Sequence, residues 1–152
     1  MGTAGKTSIF LDVGLLILRV GLGVMFLYHG APKLFGGPEM WAKVGGAAGN
    51  FGLSFAPAFW GFMAGIAEFG GGLCLILGIL FMPACILLVI DLIVAATFHI
   101  HAGQGLGMAS HALEDGITFL GLTFIGPGRY SLQALLLSRK AIKITEGNTP
   151  RS

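Results

Sequence analysis

Six titratable side chains stand in stretches of this chain that otherwise hold mostly Leu, Ile, Val, Phe, Ala and Gly: the acids Glu68, Glu114 and Asp115 and the imidazoles His29, His99 and His111. Carboxyl and imidazole groups in apolar surroundings can pass protons or grip a polar head group, and either task needs several of them at one level. In lipid each charge near the bilayer centre costs at least ~2.5–3.5 kcal/mol on insertion scales, so each needs a partner or a use. Counting ~1.5 Å per helical residue from the expected cytoplasmic end puts Glu68 and Glu114 at ~20 Å, Asp115 at ~18 Å and the three histidines near ~24 Å. The six therefore read as one polar site in the outer half of a helical bundle. His29, Glu68, His99 and Glu114 form its expected catalytic set, holding a head group or carrying its protons, and Lys33, His111 and Asp115 are the expected substrate-binding residues. Lys33 follows His29 at i,i+4, so both leave one face of the same helix.

Two further charges, Arg19 and Asp91, come out at ~10 and ~12 Å on the same count. That match predicts a structural ion pair that fixes which helices are neighbours. No metal is expected. His111 and Asp115 have the spacing of two ligands on one helix face, but the spacing is common and no thiolate joins them. The two cysteines, Cys74 and Cys85, form no CxxC pair. They fall ~12 and ~4 Å from a shared hinge, too far apart in depth to be bridged, and are assigned to packing.

The elements that hold these residues must be membrane helices. Hydrophobic residues make up 55% of the 152 and charged ones 11%, with a mean hydropathy of +0.85, whereas a soluble domain carries about 25% charged residues. The net charge of +2 is too small for a nucleic-acid partner. Between Phe51 and Phe98 there is no Lys or Arg, and Glu68 and Asp91 are the only acids. This is a run for two spans of ~20 residues folded back on each other. The hinge is expected at Phe81-Met82-Pro83, because Pro suits the first turn of a new helix.

The whole pattern predicts an all-α integral membrane four-helix bundle with helices over about 13–35, 57–81, 83–99 and 111–126, in a domain spanning 13–129. A cytoplasmic segment, 1–12, precedes it, and a cytoplasmic amphipathic helix and tail, 130–152, follow, the last nine residues being expected to be disordered. Asp12 and Ser110 are the expected N-caps of the first and fourth helices. Gly36-Gly37-Pro38 and Gly126-Pro127-Gly128 are expected stops. Within 36–56 the sequence allows a re-entrant or interfacial piece near 39–44 or an ordered loop, with Trp41, Phe51 and Phe55 suited to the headgroup level. Gly61, Gly65 and Gly72 share a helix face with Glu68 and predict a close backbone approach there. Arg19 interrupts the first apolar run and Tyr28-His29-Gly30-Ala31 is no small-residue cleavage site, so that run is expected to be a retained helix and not a signal peptide. Lys6 and the basic residues from Arg129 onward lie on one side of a four-span chain, which puts both termini in the cytoplasm.

Leu18-Arg19-Val20-Gly21-Leu22-Gly23, His29-Gly30, Lys33, Glu68 with Gly71-Gly72, His99, Glu114 and Gly126-Pro127-Gly128-Arg129 occur in this order. The set resembles the DoxX family of small four-helix bacterial membrane proteins, from about Leu15 to Leu132. The resemblance implies a multi-pass protein of the bacterial inner membrane. Related DoxD-like sequences resemble the membrane subunit of thiosulfate:quinone oxidoreductase, and DoxX-like proteins have been associated with membrane redox and thiol-stress systems. The bundle also looks like that of quinone-linked disulfide-forming proteins, from which this chain departs by lacking a CxxC pair. The expected role is therefore a membrane subunit in quinone-linked redox chemistry, with quinone as the candidate ligand, a redox subunit as the candidate partner and homo-oligomers open. A small proton-coupled transporter and a purely structural assembly subunit are the competing readings.

Overall fold

A computed structural model of the chain describes residues 3–147, with side chains over 9–140. The described residues are helical throughout, joined by short turns: α1 (Thr3–Phe35), α2 (Gly37–Gly45), a 3-10 helix (Gly46–Phe51), α3 (Pro57–Leu77), α4 (Phe81–His101), α5 (Gly105–Ile125) and α6 (Leu132–Gly147). The segments Ile9–Phe35, Pro57–Leu77 and Phe81–His101 are long and apolar enough to cross a membrane. α5 matches α3 and α4 at 21 residues, but Ser110, His111, Glu114 and Asp115 make it more polar.

Several boundaries differ from the expected ones. α1 begins well before Asp12, since nothing between Thr3 and Asp12 breaks a helix, and the Asp12 carboxylate instead accepts the Arg129 backbone N–H at 2.9 Å. α3 stops at Leu77 because Gly78 turns left-handed, φ +64, and its N–H closes on the Cys74 carbonyl at 2.8 Å. α4 then starts at Phe81, with Pro83 in the first turn, where a missing N–H costs nothing. α5 begins at Gly105, so Ser110 lies inside it and its hydroxyl donates to the Gly107 carbonyl at 3.0 Å. Ser131 caps α6, its Oγ accepting the Ala134 N–H at 3.1 Å. The expected disordered tail, 144–152, lies largely outside the described residues, α6 running to Gly147.

The glycine face of α3 does what its spacing predicted. A Cβ on Gly72 would come 2.7 Å from the Gly23 carbonyl oxygen and 2.9 Å from the Leu27 nitrogen, and one on Gly65 would come 2.8 Å from the Leu34 nitrogen. α1 and α3 therefore pack backbone against backbone. Because Leu34 meets Gly65, α1 ends beside the middle of α3. α2 carries the rod onward along the first half of α3, with Gly61 against the Trp41 backbone and Gly45 against Pro57. The interruption falls at Gly36 and Gly37, the latter at φ +81. α4 packs on α3 through Leu88 over Gly71, α5 packs on α4, and α1 meets α5 edge to face through Phe26 and Phe119, ring centroids 4.9 Å apart. Leu75, Phe81, Cys85, Leu88, Phe119 and Leu122 fill the space between them.

Candidate functional site

Glu68 stands at mid-length of α3, buried against α1, and Gly30 makes room for it: a Cβ there would lie 2.9 Å from the Glu68 Cβ. The Lys33 ammonium, in the last turn of α1, donates to Glu68 Oε1 at 2.6 Å, with the two side chains 29% and 6% exposed. Asp91, at mid-length of α4, brings its carboxyl within hydrogen-bonding reach of Glu68 and within electrostatic reach of Lys33. Glu68 Oε2 and Asp91 Oδ2 have no donor among the described side chains. Two carboxyl groups this close beside one ammonium carry least net charge when one of them holds a proton.

Lys33 and Asp91 open into a cavity of about 490 Å³. Its walls are apolar: Met63, Ala64 and Ala67 from α3, Leu87, Ile90 and Val94 from α4, and a cover formed by residues 44–53, which folds back along α4. The volume is that of a small-molecule site, and an apolar wall with a few converging polar groups is its usual lining. One of those groups is the Trp60 indole, whose buried Nε1–H has no acceptor. A buried donor left unpaired costs about 1–3 kcal/mol, which an acceptor reaching the indole from the cavity would recover. Trp41 differs, since its Nε1–H donates to the Leu34 carbonyl at 3.2 Å at the break between α1 and α2.

The expected single polar site divides in two. Lys33 and Glu68 meet at the cavity together with Asp91. His29, His111 and Glu114 lie exposed where α1 adjoins α5, and their charges act on the half-buried Asp115. His99 belongs to neither group: its Nδ1 donates to Gln104 Oε1 at 2.5 Å just past α4. The depth count had put Glu68 at ~20 Å and Asp91 at ~12 Å, in separate layers, but the two meet at one level because α3 already ends at Leu77 and α4 already begins at Phe81. Among the described residues, no three His, Cys, Asp or Glu side chains are grouped as metal ligands.

The expected Arg19–Asp91 pair does not form. Arg19 is 2% exposed and lies at the turn between α3 and α4, against Gly78 and Ser131, donating to the Tyr130 carbonyl. The depth count started from residue 13, but α1 starts at Thr3 and passes the turn at the level of Arg19 itself, half a helix from Asp91. Arg19→Ala and Asp91→Ala are accordingly expected to add within ~0.5 kcal/mol in detergent unfolding, as separate sites do. A coupling above ~1 kcal/mol would restore the pair. Asp91 and Trp60 are the site residues that sequence reasoning missed. Asp91 carried a signal, as a lone acid midway along an apolar run, while Trp60 carried none beyond its indole.

A family model described as DoxX matches residues 14–102, from α1 through α4. Inner membrane protein YqjF of Escherichia coli is 30% identical over 133 residues, which cover 82% of this chain and 93% of that protein. No solved structure matches. With that match over more than half of its residues and long apolar helices to carry it through the bilayer, the chain is a multi-pass membrane protein and belongs to the DoxX family.

Proposed function

We propose that the chain is an inner-membrane subunit of quinone-linked redox chemistry that holds a quinone ring in the cavity between α3 and α4. α5 is its fourth crossing and both termini are cytoplasmic. The observation that carries this reading is that Lys33, Asp91 and Trp60, whose indole N–H is unsatisfied, line an otherwise apolar cavity. A quinone ring has carbonyl oxygens for such a donor, an apolar body for such a wall, and protons to exchange whenever its oxidation state changes. Bound there, it would supply the two-electron chemistry. Trp60 positions the ring, Asp91 and Glu68 take up or release protons, and Lys33 balances their charge. The chain's own residues carry no electrons, so these pass to or from a redox partner subunit.

Purified wild-type protein is expected to retain extractable quinone and to bind a quinone analogue. Asp91→Asn, Glu68→Gln and the cavity-filling Ala67→Phe should each weaken binding by about tenfold or more, the effect of losing one good polar or packing contact. Binding that survives all three at wild-type strength would rule the site out. The break between α1 and α2 beside Lys33 favours a second reading, proton-coupled transport, because interrupted helices line the midplane sites of transporters. It calls for pH-dependent flux in proteoliposomes that Glu68→Gln abolishes.

A further inference from the structure

The flank where α1 adjoins α5 stands away from the cavity and has the opposite character. Glu114 lies at the middle of the 21-residue α5 and is exposed, as are His111 one turn before it and His29 on the adjoining α1. On an α5 that crosses the bilayer, as proposed above, this puts a carboxylate at the depth where lipid tolerates it least. Glycines run along both helices on the same side, Gly14 and Gly21 on α1 and Gly107 and Gly121 on α5. All four have open space where a Cβ would be. Elsewhere in this chain helical glycines admit a neighbouring backbone into the space a Cβ would fill, as Gly65 and Gly72 do between α1 and α3. Here the neighbour is missing from the single chain.

We infer that this flank is covered by a second copy of the chain, in a two-fold dimer that sets the His29 and His111 imidazoles of each protomer against the Glu114 carboxyl of the other. The side-chain pattern singles out a second copy. Imidazole N–H donors and a carboxylate acceptor on one patch are self-complementary, and a two-fold axis brings the donors of each copy onto the acceptor of the other. The open glycines let the helices approach closely enough for those short side chains to meet. A dimer of this kind buries the midplane carboxylates without touching the cavity of either protomer.

Full-length protein reconstituted at low density in liposomes is expected to show two-step photobleaching. Glu114→Gln should weaken association by about tenfold or more, and Gly121→Leu, which leaves every charge in place but fills the groove, should do the same. Gly121→Cys should cross-link with a short bis-maleimide, whereas Ile66→Cys, exposed on α3, should behave like the wild type. Single-step bleaching at every density, or dimers untouched by both Glu114→Gln and Gly121→Leu, would overturn the inference. Labelling of Gly103→Cys and Gly128→Cys from opposite sides of the membrane tests the α5 crossing separately, so a monomer with a crossing α5 counts against the dimer alone.

Discussion

Lys33→Met is expected to cost the protein about 3–5 kcal/mol in detergent unfolding, the range for removing one member of a buried ion pair. The substitution keeps the length and packing of the side chain and removes only the ammonium. Glu68, 6% exposed, then faces the Asp91 carboxyl with no cation beside it. The penalty comes from what is left behind, so the double change Lys33→Met/Glu68→Met should regain most of the loss, because an apolar replacement of a buried pair is often neutral. A Lys33→Met protein within ~0.5 kcal/mol of wild type would mean that the ammonium is not what balances the carboxyls.

Gly78→Ala should be nearly as damaging, for a different reason. The residue sits at φ +64, where a side chain costs roughly 1–2 kcal/mol. A Cβ would also overlap the Arg19 guanidinium and come 2.6 Å from the Ser131 Cβ. Arg19 must then leave the Tyr130 carbonyl, a charged hydrogen bond of about 1.5–3 kcal/mol. The sum is about 2.5–5 kcal/mol. Gly103→Ala separates the two causes, since Gly103 has φ +71 with open space around it and should show the backbone cost alone. Equal losses for the two substitutions would remove Arg19 from the account.

What could be read from the residues was whatever depends on a single helix. The close-approach face of Gly61, Gly65 and Gly72, the apolar length of α3 and α4 and the stop after Ile125 follow from periodicity and turn chemistry, and the structure holds all of them. What escaped depends on pairs of helices. The depth of Arg19 hung on where α1 begins, which no cap marked. The company of Glu68 hung on where α3 ends and α4 begins, which brings Asp91 to its level. Residues 36–56 were harder still, since their small side chains fit helix, 3-10 turn and loop nearly alike, and α2 is fixed by its seat against Pro57 and Gly61.

Three residues, 78–80, join α3 to α4. So short a connection ties the two helix ends together, so α3 and α4 should enter the bilayer as one hairpin, carrying Glu68 and Asp91 together. α1 is synthesised before them, and Lys33 is thus already in place when the two acids arrive. The order of the segments along the gene makes the lysine a host for acids that would be costly to insert alone.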